Sequence, residues 1–271
     1  MKIIRFLSED DRVLTGVFDT KTPDVSRVIE GDIFTDIAVT EKWEKIKTIL
    51  PPLAPVNILC LGLNYKEHAA ETKVTSPESP VLFLKGTNSV VGPGSPIVLP
   101  RVAPDEVDYE AELAVIIGNK VRNISADDAR NSIFGYTCAN DVSARDWQIF
   151  KQKGQWARGK SFDTFCPLGP YVVTADEIED PDSLPIRAIL NDRVMQDSNT
   201  SNMIFDVSAI VSDLSQSMTL YPGTLILTGT PEGVGFTREP PVFLKDGDII
   251  TIEIEGIGRL VNPVRQEGNK R

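Results

Sequence analysis

The apolar residues of this chain come in short, β-prone runs, each closed within a few residues by Gly, Pro, Asn or Asp. Such runs occupy residues 58–61, 81–84, 113–117, 225–228 and 249–254, all beyond the stretch Pro51-Pro52-Leu53-Ala54-Pro55. Runs of this length with these flanks read as strands. The proline-rich stretch can be neither regular helix nor central strand, so 51–57 reads as a linker. Before it, apolar runs at 3–7, 13–18 and 28–29 and a charged stretch at 42–47 predict a small β-rich subdomain over 1–50, which leaves 58–271 as the main domain. Helices are few. Asp206 can cap one that carries Ile210, Val211, Leu214 and Met218 and stops at Tyr221-Pro222-Gly223, and Ser125 can open a shorter one with Asp128 in the capping-box position. The expected fold class is α+β, β-dominated.

With 271 residues, 41% of them hydrophobic, the chain can bury a full core without staples. Cys60, Cys138 and Cys166 lie far apart and show no C-x-x-C spacing, which predicts neither a disulfide framework nor a zinc site and makes a reducing, cytoplasmic setting the expectation. The opening MKIIRFL runs straight into Ser8-Glu9-Asp10-Asp11, and no apolar stretch approaches the roughly 20 residues of a membrane helix, so neither a targeting segment nor a membrane partner is expected. A net charge of -11 repels phosphate backbones and argues against a nucleic-acid partner.

The sharpest chemical signal is in DYEAELAVIIG. The run after Glu112 is β-prone, so Glu110 and Glu112 stand at i and i+2 and point to one face. Two carboxylates on one face repel unless a cation joins them. A solvated acidic edge would look the same here, since Asp105, Glu106 and Asp108 precede them. Asp141 separates the two readings, because it ends the strand-like YTCAN about 30 residues later, far enough along for the chain to return beside the pair. Three carboxylates form a hard oxygen site suited to Mg²⁺, Mn²⁺ or Ca²⁺, with positions left open for water and substrate.

Other candidates carry weaker local signals. His68, the single histidine, follows the strand-like ILCLG, and Glu71 lies one helical turn on, able to orient and polarise the imidazole; an inconsequential surface pair would share that spacing. Lys160 in QWARGKSF and Arg145 in VSARDWQ are cations among small and aromatic residues, placed to bind a substrate carboxylate or to form ordinary salt bridges. Gln148 in the same VSARDWQ segment joins them as a substrate-binding candidate. Lys85, closing PVLFLK, either snorkels or points into a site. LILTGTPEGVG joins a strand to a Gly-rich turn whose N-H groups can bind an anion near Thr230, or can simply turn the chain; it lacks G-K-[ST] and G-x-G-x-x-G, so no nucleotide is indicated.

Taken in order, GLNYKEHAAET, PVLFLKG, VDYEAELAVIIG, CANDVSARDWQ, QWARGKSFDTFCPLGP, ILTGTPEGVG and LKDGDIITIEIEGIG resemble the fumarylacetoacetate hydrolase family over nearly everything from Ile58 onward. QWARGKSFDTFCPLGP and TREPPVFLKDGD resemble one branch of it in particular. The resemblance implies a mixed β-sandwich roll, a homodimer, and Mg²⁺ or Mn²⁺ (Ca²⁺ as a substitute) on Glu110, Glu112 and Asp141. It also implies a His68-Glu71 dyad, with Lys160 facing the substrate. The implied substrate is a small 2-oxo acid, oxaloacetate or an acylpyruvate, acted on through an enolate that the metal stabilises. Hydrolysis of a C-C bond and keto-enol tautomerisation of oxaloacetate stand nearly level as the reaction, with decarboxylation or a related isomerisation behind them. The competing class is a metal- or acid-binding protein that lost its activity, against which His68, Glu71 and Lys160 all argue.

Overall fold

The structure, a computed structural model, describes residues 1–268. The five runs beyond the prolines are the strands Asn57–Gly62, Val81–Leu84, Ala111–Ile117, Thr224–Leu227 and Ile249–Ile254. Ala111–Ile117 is buried at every residue because it is central in an 11-stranded sheet, antiparallel to Ile133–Asn140 on one side and to Thr224–Leu227 on the other. Its side chains alternate between two cores: Leu113, Val115 and Ile117 pack on one face, Ala114 and Ile116 on the other. Burial on both faces is what makes its sequence read as a continuous apolar run rather than an alternating one.

A second, five-stranded sheet runs in the order Arg193–Asn199, Pro185–Leu190, Ile249–Ile254, Gly258–Gln266, Ile97–Leu99. It contributes Ile186, Ala188, Ile250, Ile252 and Ile254 to the larger core, so the two sheets share one interior. Strands dominate and the fold is α+β. The helix Val207–Ser217 buries Val207, Ile210, Val211 and Leu214, and Asp206 caps it by accepting from Ala209 N at 2.7 Å. Ser125 likewise accepts from Asp128 N, at the start of a helix of only four residues, Ala126–Ala129. No helix among the described residues is long and apolar enough to cross a membrane.

Residues 1–50 supply Lys2–Ser8, Val13–Val17, Val25–Glu30 and Ala38–Leu50, which extend the large sheet through Lys2↔Val173 and Ile3↔Val172. Ile4 and Phe6 belong to the main core. The charged stretch at 42–47 lies within Ala38–Leu50, whose side chains are mostly exposed.

One buried amide ties the first helix of the site to this frame. After Asn57–Gly62 the chain turns through Leu63 (φ 56°), and the Asn64 side chain donates to Phe205 O (3.0 Å) and Thr228 O (2.8 Å) and accepts from Phe205 N (2.9 Å). Gly229, at φ 95°, permits this approach, since a Cβ there would meet the Asn64 Cβ at 2.8 Å. The helix Lys66–Glu71, carrying His68, starts from this anchor. Asn64→Ala leaves two carbonyls and one N-H without their partner in the interior; it is expected to cost about 2 kcal/mol or more in urea unfolding. A loss within about 0.5 kcal/mol would mean the amide anchors nothing.

Candidate active site

Antiparallel pairing builds the acidic centre. Ala111 stands opposite Asn140, and Asp141 N donates to Glu110 O at 2.9 Å, so the end of one strand delivers Asp141 beside the start of the other. One carboxylate oxygen from each of Glu110, Glu112 and Asp141 lies within 4.8 Å of the others, and all three residues are buried. Asp108, one step earlier on the same two-residue period, is buried as well.

Three buried cations answer these four carboxylates. Lys160 Nζ donates to Glu110 Oε2 (2.8 Å), Asp141 Oδ2 (2.7 Å) and Ser143 Oγ (2.8 Å). Lys85 Nζ donates to Asp141 Oδ1 (2.6 Å) and Val142 O (3.3 Å). Arg145 Nε donates to Asp108 Oδ1 (2.6 Å) and its Nη1 to Gln148 Oε1 (2.8 Å). Its Nη2 forms an ion pair with Glu110 Oε1 at 2.8 Å, and the guanidinium lies 4.3 Å from the centre of the Phe236 ring. Three cations leave one of the four carboxyls without a counter-charge, and the surroundings make it Glu112. Its Oε2 accepts from Gly229 N at 2.7 Å, but its buried Oε1 has no partner among the described residues. Burial, then repulsion from Asp141 and Glu110, push the Glu112 carboxyl well above its ordinary value. Burial would raise Glu110 too, but Lys160 and Arg145 outweigh it and hold that carboxyl below the usual range. For Lys160 the balance runs the other way: burial disfavours its charge, the Asp141 and Glu110 carboxylates more than restore it, and the ammonium persists.

A cavity of about 330 Å³ opens beside this cluster, lined by His68, Glu110, Arg145, Gln148, Lys160 and Thr230 and closed elsewhere by apolar side chains that include Phe83, Ile149 and Trp156. His68 Nδ1 is 3.3 Å from Glu71 Oε2. The carboxylate of Glu71 is itself fixed from the Gly-rich turn, by Thr237 Oγ1 (2.7 Å) and Gly233 N (3.1 Å). Burial raises Glu71, but the hydrogen bonds from His68, Thr237 and Gly233 prevail and hold it below the ordinary range.

Of the residues singled out in the sequence, His68, Glu110, Arg145, Gln148, Lys160 and Thr230 meet at this cavity, with Glu112, Asp141 and Glu71 directly behind. Lys85, also a substrate-binding candidate, is placed differently. It does not line the cavity; its ammonium is fully buried and holds Asp141 from behind. Asp108, Ser143 and Gln196 were missed. Extending the period of two back from Glu110 would have found Asp108, but Asp105 and Glu106 just before it hid that signal. No local pattern marks Gln196, which bonds Ala111 N between two of the clustered acids from 85 residues away.

The chemistry of this donor set fits one hard divalent cation: three carboxylates, one of them with an unsatisfied buried oxygen. Such an ion would be held by Glu110, Glu112 and Asp141. With Glu112 deprotonated to ligate it, four carboxylates would face three cations and a divalent ion, leaving the buried centre with a net positive charge beside a cavity suited to an acid.

Known proteins resemble this chain over most of its length. The profile of the fumarylacetoacetate (FAA) hydrolase C-terminal domain matches residues 57–265. A fumarylacetoacetate hydrolase domain-containing protein 2 homolog from Dictyostelium discoideum is 45% identical over 92% of this chain and 90% of its own length. Oxaloacetate tautomerase fahd2, mitochondrial, from Xenopus laevis is 49% identical over 81% of this chain and 68% of its own length. Among solved structures, a 5-carboxymethyl-2-hydroxymuconate delta-isomerase from Mycobacterium smegmatis superposes with a TM-score of 0.86 at 40% identity, over 98% of this chain and all of that one.

Glu112 must give up its raised proton to ligate a cation, so Mn²⁺ binding is expected to tighten as pH rises, by up to about tenfold per unit while that proton is being released. The free-Mn²⁺ electron paramagnetic resonance signal measures this. Glu112→Gln should both weaken binding and flatten the pH dependence; an unchanged slope in that variant would remove Glu112 as the titrating ligand.

Proposed function

The chain belongs to the fumarylacetoacetate hydrolase family, and on that premise we propose that it is a divalent-metal-dependent enzyme that interconverts the keto and enol forms of a small 2-oxo acid, oxaloacetate foremost. The observation that carries this reading is the buried carboxylate cluster, with its unpartnered Glu112 oxygen, beside a cavity that also holds His68 and Lys160. The names of the vertebrate relatives, oxaloacetate tautomerases, support the same choice.

Bound Mg²⁺ or Mn²⁺ would supply Lewis-acid stabilisation for negative charge on the 2-oxo oxygen. The remaining work falls to the protein's own groups. Keto-enol exchange needs a base to take a proton from carbon and a path for returning it. With its Nδ1 proton donated to Glu71, His68 keeps its lone pair on Nε2 and can accept that proton. Lys160, kept charged by Glu110 and Asp141, is a poor base and serves as a fixed positive charge beside the developing enolate. Arg145 is anchored by Asp108 and stacked on Phe236, so it presents a fixed cation toward a substrate carboxylate, with Gln148 bonded to it.

Hydrolysis of an acylpyruvate is the second reading, and the His68-Glu71 pair favours it: the same base that takes a carbon-bound proton can activate water for attack on the second carbonyl. The proposal includes a homodimer. Val81–Leu84 is the last strand of the large sheet and leaves Leu82 and Leu84 37% and 51% exposed, an uncovered apolar edge that a second copy can close. The three cysteines are free and buried, which suits a reducing compartment.

The test follows the ultraviolet absorbance of the oxaloacetate enol with Mg²⁺ or Mn²⁺ and again with chelator, while pyruvate is assayed. Metal-dependent loss of the enol signal without pyruvate is expected, slowed roughly 10²-fold or more in His68→Ala. Acetate released from acetylpyruvate would move the assignment to hydrolysis, and pyruvate from oxaloacetate would move it to decarboxylation. An enol that decays no faster with the loaded protein than without it would contradict the tautomerase reading.

A further inference from the structure

Gln196 lies outside every motif, 1% exposed, on the strand Arg193–Asn199 of the smaller sheet. Its surroundings explain what it does. The pairing between Ala111–Ile117 and Thr224–Leu227 reaches only to Ala114↔Leu227, with one further backbone bond from Thr228 N to Leu113 O. Beyond that point the 228–234 turn leaves the ladder, and the strand's earlier N-H groups take partners other than a neighbouring strand. Ala111 N, between Glu110 and Glu112, finds its acceptor in Gln196 Oε1 at 2.8 Å. The other end of the amide reaches the turn, where Gln196 Nε2 donates to Thr230 Oγ1 (2.8 Å) and Pro231 O (2.8 Å), with Glu232 O at 3.4 Å.

This placement fixes a proton. A backbone N-H faces one end of the amide and backbone carbonyls face the other, so the oxygen and the NH₂ can be assigned in only one way. Thr230 Oγ1 therefore accepts from Gln196 and cannot spend its own proton there. Thr230 lines the cavity with His68, Arg145 and Lys160, and its hydroxyl has no acceptor among the described residues. We propose that Gln196 is a positioning residue that turns the Thr230 hydroxyl into the cavity as a donor to the carboxylate of the bound acid. The inference rests on the 2-oxo acid reading and adds to it the residue that orients the substrate's anionic end.

Calorimetric titration of the Mn²⁺-loaded protein with oxalate, a small planar dicarboxylate, tests it. Thr230→Val should weaken oxalate binding roughly tenfold or more, as loss of one hydrogen bond to a charged group requires, while Thr230→Ser keeps most of the affinity. Gln196→Met should bring a comparable loss, and the double variant should bind no more weakly than Thr230→Val alone, because both remove one interaction. Where Gln196→Met does not fold, Gln196→Glu replaces it, retaining an acceptor for Ala111 N without the amide donor. Oxalate binding unchanged in Thr230→Val, or losses that multiply in the double variant, would overturn the inference. A parent protein that binds Mn²⁺ but not oxalate would instead overturn the 2-oxo acid reading beneath it.

Discussion

Four carboxylates buried side by side would drive a protein apart if they stood alone, since each pays a desolvation cost and repels its neighbours. Here they persist because every cation nearby is committed to them. Lys85 holds Asp141 from behind, Lys160 bridges Asp141 to Glu110, and Arg145 joins Glu110 to Asp108. Removing any one cation would strand a buried charge, which is a far larger penalty than losing an exposed ion pair. Among the described residues Glu112 alone of the four is left short, and its oxygen without a partner there is the feature that turns an electrostatic balance into a candidate metal centre.

The fold serves this balance by bringing distant segments to one strand end. The central pairing of Ala111–Ile117 with Ile133–Asn140 delivers the acids, and the interior shared by the two sheets excludes water around them. The Gly-rich turn after Thr224–Leu227 then acts as a hub. Gly229 N holds Glu112, Gly233 N and Thr237 hold Glu71, and Gln196 holds Thr230, so one turn sets the geometry of acid, dyad and anion contact together. A shift in this turn would disturb all three at once, which makes the positions around it coupled rather than independent.

What could be read from the sequence was what local chemistry determines. Strand runs bounded by turn formers, the caps at Asp206 and Ser125, and the same-face spacing of Glu110 and Glu112 are properties of a few adjacent residues, and the structure contains each of them. Lys85 shows where such reading stops. A lysine at a strand end can face a site or support it from behind, and only the packing of Asp141 against it decides between the two. Gln196 and Asn64 were silent for a related reason: a buried amide acts through partners 34 to 164 residues away and leaves no periodicity in its own neighbourhood. The contribution of the N-terminal strands, extending the large sheet through Ile3, is visible only in the pairing.

The central claim is that Glu110, Glu112 and Asp141 together present one divalent ion with open positions to a 2-oxo acid. The most direct measurement is the electron paramagnetic resonance linewidth of bound Mn²⁺ in ¹⁷O-labelled water, which reports the waters remaining on the ion. The account predicts one bound Mn²⁺ per chain, carrying waters that oxalate displaces. An ion whose linewidth does not respond to labelled water, or that keeps all its waters when oxalate binds, would contradict it.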